Sequence, residues 1–246
     1  MLNKKVQPHI QLANDLAVDK VLLPGDPARV ERLKKWLDAP KELTFNREYR
    51  SLIGSYKGTS ILVMSTGMGG PSTGIGVEEL ANIGVKYAIR IGSCGALQPE
   101  IELGDLLVAT AAVRDEGTTK AYMEEIYPAV PDYQLLSNIK QALETGQFPS
   151  HFGLVRSHDS FYTDNEAAID AYWSNKGVLG ADMETSSLFV IGGLRGMRTA
   201  SILNVVVTAE GNLESGINKF VNTEEKVMEG ENHQIKVALE ALASIT

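Results

Sequence analysis

Three arginines at separated positions, each close to a turn or a strand end, are the first chemistry this sequence offers. Arg90 and Ser93 close an apolar run, VKYAIRIGSCGALQP over 85–99, in which Val85, Tyr87, Ile89 and Ile91 alternate as in a strand. Gly92, Gly95 and the Ser93-Cys94 pair then let the chain turn. A guanidinium and a hydroxyl at the carboxyl end of a strand are placed to hold an anion. Arg29 lies one turn inside a helix announced by Pro24-Gly25-Asp26-Pro27, whose exposed amides around Gly25 offer a second anion contact. Arg47 and Arg50 sit three apart in FNREYRSLIGSY, within a predicted strand over 41–56 that presents them to opposite faces or to its end. Two acids, Asp182 and Glu184, adjoin a wholly apolar segment and need solvent, a counter-charge or a polar ligand. Phe161 and Tyr162 offer aromatic faces to a planar ring, with core packing the competing use.

The elements that must position these groups alternate. Strands are predicted over 19–23, 60–65, 85–92, 104–110, 151–157 and 198–207. Helical spacing marks 28–37, 75–83, 134–143, 187–194 and 223–243, and 208–222 is polar and glycine-containing. This order predicts a layered α/β domain with a central sheet covered on both faces, and no linker, repeat or low-complexity tract divides residues 1–246. The glycine-rich turn over 66–74 does not follow GxGxxG, so a dinucleotide site is not expected. A net charge of −8 argues against a nucleic-acid or anionic-membrane surface. The single cysteine, Cys94, excludes an intrachain disulfide and suits a reducing compartment. With neither a signal-peptide core nor a run of about 20 apolar residues, a soluble cytoplasmic protein is expected.

Six ordered motifs resemble the nucleoside phosphorylase family of uridine phosphorylases and hexameric bacterial-type purine nucleoside phosphorylases. They are PHI over 8–10, LLPGDPARV over 22–30, NREYRS over 46–51, STGMGGPSTGIGVEEL over 65–80, IRIGSCGALQP over 89–99 and DMETSSL over 182–188. The resemblance implies a three-layer αβα fold with a mixed, partly barrel-like sheet, and a homo-oligomer, a hexamer built as a trimer of dimers. It implies phosphorolysis of a nucleoside by inorganic phosphate, giving a free base and ribose 1-phosphate, with no metal or organic cofactor. Gly25, Arg29, Arg90 and Ser93 would bind phosphate, with Arg47 reaching in from a neighbouring subunit. Met183 and Glu184 would hold the ribose, His9 of the neighbour would meet its 5′ end, and Phe161 and Asn165 would meet the base. Arg90, Glu184 and Arg29 would carry catalysis. Glu48, Met68 and Ser72 match the positions of a monovalent cation in uridine-type relatives. The glutamine and arginine that read uracil in such relatives are replaced by Asn165 and Ala167, and Val205 to Thr208 holds no acid to protonate a purine. Uridine is the first expectation, a purine nucleoside the second, and a nucleoside-binding protein with little catalysis the third. Base selectivity is expected to be loose, resting on Phe161, Asn165 and the 208–222 segment.

Overall fold

Alternating Val, Leu and Ile in short runs let each central strand send one set of side chains to each face of a sheet. The computed structural model describes residues 5–211 and 225–245. Its strands are β1 (Lys20–Pro24), β2 (Asp38–Asn46), β3 (Tyr49–Tyr56), β4 (Thr59–Met64), β5 (Tyr87–Ala96), β6 (Leu106–Asp115), β7 (Ser150–His158), β8 (Gly180–Asp182) and β9 (Arg198–Val207). The helices are α1 (Pro27–Leu33), α2 (Gly70–Asn82), α3 (Tyr133–Gly146), α4 (Glu166–Ser174), α5 (Thr185–Leu194) and α6 (Glu225–Ala243).

The nine strands form one mixed sheet in the order β2-β3-β4-β1-β5-β8-β7-β6-β9. Because β9 also pairs in parallel with β5, the last five strands curl back into a closed, barrel-like loop. Two helical layers cover the sheet. Val77 and Leu80 of α2 and Leu188 to Ile191 of α5 share one core with Val21, Leu23, Ala88 and Cys94. Val30 and Leu33 of α1, Ile139 and Leu143 of α3, and Ile235 and Leu239 of α6 share the other with Leu22, Ile89 and Ile91. Neighbouring residues of one strand therefore serve opposite layers, as the period of two requires. The expected three-layer αβα architecture is the one observed.

Two expectations need correction, and one helix had no expectation at all. The strand read over 41–56 is a hairpin: β2 and β3 pair antiparallel, with Asn46 opposite Tyr49, and Arg47-Glu48 form its turn. Arg47 adopts φ +53° there, and neither of the two turn positions is the glycine or asparagine such a reversal favours. The helix over 28–37 stops at Leu33 and tightens into a 3-10 turn at Lys34–Trp36. Helix α4 was not anticipated at all. None of its residues is buried and Asn165 makes no side-chain capping bond, so it carries neither a core stripe nor a start signal.

Candidate active site

Arg90 sits on β5 at even spacing with Ala88 and Cys94, which puts its side chain on the α2 and α5 side of the sheet. It is buried, at 4% exposure, and meets two acids from the β8–α5 junction. Its Nε donates to Asp182 Oδ2 at 3.1 Å and its Nη2 to Glu184 Oε2 at 2.5 Å. Nη1, equally buried, has no acceptor among the described residues. Asp182 is held from three more directions, by the hydroxyls of Ser157 and Thr185, both at 2.6 Å, and by the Thr185 amide at 3.0 Å. Glu184 Oε1 accepts the Gly69 amide at 2.6 Å, where α2 begins. One guanidinium thus serves two buried carboxylates. Burial pushes the Glu184 carboxyl above its ordinary range, against the pull of Arg90 and with the push of Asp182. Burial works to lower the Arg90 pKa, but Glu184 and Asp182 outweigh it and leave that pKa raised. The two acids flagged by the sequence are therefore paired, as their burial demands.

Arg29 approaches from α1, a helix started by Asp26, whose Oδ1 accepts the Ala28 amide at 2.8 Å, with Pro27 in the first turn. Its Nη1 donates to the Ile91 carbonyl at 2.8 Å, its Nη2 to Ser93 Oγ at 3.0 Å and its Nε to Glu231 Oε2 at 2.9 Å. Glu231, on α6, also accepts from Arg32 Nε at 2.7 Å. Four residues before Arg29, Gly25 has no room to spare. A Cβ there would lie 3.2 Å from the Gly67 carbonyl oxygen and 3.9 Å from Arg90 Nη1, so its backbone is adjacent to that unpartnered donor. Gly92 is equally constrained, since a Cβ would come within 2.4 Å of Arg90 Nη2. Two guanidiniums, a serine hydroxyl and tight glycine backbones at one strand end suit a compact anion.

These groups line a pocket of about 1180 Å³. It brings together Gly25, Arg29, Arg90, Ser93, Phe161, Met183 and Glu184, and Glu48 and Met68 also line it. Other predicted residues lie elsewhere in this chain. Arg47 is exposed at the hairpin tip. His9 Nδ1 lies 2.6 Å from Glu79 Oε1, and the His9 amide donates to the same carboxylate. Asn165 is exposed at the start of α4, and Ser72 donates to Glu48 Oε1 at 2.5 Å. Residues 212–222 of the 208–222 segment lie outside the described residues, while Thr208, Ala209 and Gly211 line the pocket. Sequence reasoning missed Glu231 and Gln234. The latter donates to the carbonyls of Gly92 and Ile202 at 2.7 and 2.6 Å. The signal was available: Val227, Glu231, Gln234 and Ala238 form one buried row at helical spacing, where two polar residues require partners. It also missed Arg156, His158 and Asp170 on the pocket wall.

The family profile of the phosphorylase superfamily matches residues 19–243. The chain belongs to the phosphorylase superfamily. It is 36% identical to the guanosine phosphorylase of Halorubrum lacusprofundi over 243 residues, covering 97% of this chain and 99% of the relative. The crystal structure of uridine phosphorylase from Vibrio fischeri complexed with 6-hydroxy-1-naphthoic acid superposes with a TM-score of 0.91 at 48% identity, covering 96% of each chain. Purine nucleoside phosphorylase from Toxoplasma gondii in complex with immucillin-H does so with a TM-score of 0.90 at 32% identity, covering 100% of this chain and 98% of the other. Within the superfamily the chain is thus a nucleoside phosphorylase homologue, nearer the uridine enzyme by identity. It is an enzyme of the pentosyltransferase class. Among the described residues no helix is long and apolar enough to cross a membrane.

Proposed function

We propose that this protein cleaves the N-glycosidic bond of a nucleoside with inorganic phosphate, giving the free base and ribose 1-phosphate, and that uridine is its first substrate. The observation that carries the reading is Arg90 Nη1, a buried cationic donor without an acceptor among the described residues, beside Gly25 and the Arg29–Ser93 pair. A buried charged donor left unpaired is costly, and a phosphate oxygen is the acceptor its neighbours are built to hold. Arg90 is oriented for that contact by Asp182 and Glu184, which occupy its other nitrogens.

In this reading phosphate lies below C1′ while Glu184 Oε2, next to Met183, accepts the ribose hydroxyls. The attacking phosphate oxygen bonds to C1′ as the C1′–N bond breaks and the electron pair leaves with the base, which then takes a proton. Positive charge develops on the sugar in the transition state, so the phosphate dianion and the Glu184 carboxylate both stabilise it. In the same reading Arg47 and His9 enter the site from a neighbouring subunit, which is supported by neither residue lining its own chain's pocket. A 6-oxopurine nucleoside is the second reading, favoured by the near full-length likeness to a guanosine phosphorylase. Base release from uridine, inosine and guanosine, with and without phosphate, tests the proposal. Phosphate-dependent release with formation of ribose 1-phosphate is expected; release in water at the same rate would overturn it.

A further inference from the structure

Strand β7 ends where the pocket wall begins, and it sends Arg156 and His158 to the same side while Ser157 turns back to Asp182. Arg156 is buried, and only its Nε is engaged, donating to Asp115 Oδ2 at 2.7 Å. Both terminal nitrogens of its guanidinium lack an acceptor among the described residues. His158 Nδ1 lies 2.9 Å from the Ser160 carbonyl, which can only accept, so Nδ1 carries the proton and Nε2 is left as an acceptor. Burial, helped by Arg156, holds His158 below its ordinary pKa, so the ring is neutral at neutral pH.

Facing the same pocket from α4 is Asp170, half-buried and with no hydrogen bond or ion pair among the described residues. Burial raises its carboxyl pKa, while Arg156 and His158 pull it down, so the three groups share one electrostatic neighbourhood. Phe161 lines the same cavity. A guanidinium with two terminal nitrogens free beyond its Asp115 pair and a carboxylate without a hydrogen bond, both facing one pocket, are complementary to a ligand that presents an acceptor beside a donor.

We propose that Arg156 and Asp170 read the base of the nucleoside, selecting one with a lactam edge: Arg156 donates to the ring carbonyl and Asp170 accepts the adjacent ring N–H, with His158 as an additional acceptor. Uracil and 6-oxopurines carry that edge. Cytosine and adenine carry its inverse, an amino group beside a bare ring nitrogen, which would set a lone pair against the carboxylate and an amino group against the guanidinium. The pair thus supplies a readout that Asn165 and Ala167 do not, and it replaces the expectation of loose selectivity with a strict one. It covers uridine and guanosine alike, which fits a chain similar to enzymes named for each.

The inference rests on the phosphorolysis reading, and its test separates the two. Turnover of uridine, inosine, guanosine, cytidine and adenosine with phosphate is to be compared in wild type, Asp170→Asn and Arg156→Met. Wild type is expected to prefer lactam nucleosides by roughly a thousandfold or more in kcat/KM, the scale that a buried hydrogen-bonding readout supplies. Asp170→Asn, at a position with no hydrogen bond to lose among the described residues, should cut that preference at least tenfold with KM for phosphate unchanged. Equal ratios in wild type and both variants would overturn the assignment. Calorimetric binding of free uracil, cytosine, guanine and adenine is the second measurement. A lactam preference that vanishes in Asp170→Asn without any turnover would uphold the base-reading pair and sink phosphorolysis. Binding indifferent to the substitution would sink the pair.

Discussion

Arg90 is the residue on which most of the site depends, because one side chain pairs with two buried acids and still presents a free donor. Arg90→Ala should therefore do more than abolish phosphorolysis. It would leave Asp182 and Glu184 as uncompensated charges, a loss of about 3–5 kcal/mol of stability, measurable by denaturant unfolding at neutral pH. A variant as stable as wild type would show that the two acids find other partners. Glu184 makes a second prediction. Its carboxyl pKa is raised by burial and by Asp182, and in the proposed sugar site it accepts ribose hydroxyls as the carboxylate. Activity should thus fall with decreasing pH at a midpoint above the ~4.3 of an ordinary glutamate, and Glu184→Gln should have low activity without that acid limb. A pH–rate profile unaltered in the variant would remove Glu184 from the sugar site. At this scale the sequence was informative because arginines, acids and glycines at turns advertise themselves. Arg156 and Asp170 did not, since each sits within an ordinary-looking strand or helix and acquires meaning only when β7 and α4 face one cavity.

Elements position these residues, and the least expected contribution comes from the far end of the chain. Helix α6 sends Glu231 beneath Arg29 and Arg32, and Gln234 to the carbonyls of Gly92 and Ile202, so the strand end that carries Ser93 is braced from behind. Burial works to raise the Glu231 pKa, but Arg32 and Arg29 outweigh it and the net shift is downward. A carboxylate depressed in the folded state stabilises it above the unfolded pKa and loses that contribution as pH falls through the folded one. Glu231→Gln should therefore cost about 1.5–3 kcal/mol at pH 7, the worth of hydrogen bonds to a charged group, and less near pH 3. Unfolding free energies of wild type and variant at the two pH values check this, and a constant difference would contradict the linkage. Strands with period-two alternation and helices with an apolar stripe were readable in advance. The β2–β3 turn was not, because Arg47 tolerates φ +53° without a glycine to signal it, and α4 was not, because it buries nothing.

At the scale of the whole molecule, one chain does not bring all the residues of the proposed site together. Arg47 projects from a hairpin tip and His9 is tied to Glu79, both outside the pocket their own chain forms. Exposure of Arg47 beside Phe45, which is 65% exposed, is what a hairpin offered to a neighbouring copy would look like. If two subunits exchange these residues across a two-fold axis, each site combines Arg90 and Glu184 of one chain with Arg47 of the other. Subunits with Arg47→Ala and subunits with Glu184→Gln should each have low activity alone. Glu184→Gln is the better partner than a change at Arg90, because it leaves a hydrogen-bonding side chain against Gly69 and strands no pair of acids. In an equal, fully exchanged mixture half of the dimers are mixed and each mixed dimer has one complete site, so recovery of about a quarter of wild-type activity is expected for an isologous pair. Verified exchange with no recovery would place Arg47 outside the neighbour's site, and the phosphate would then depend on Arg29 and Arg90 of a single chain.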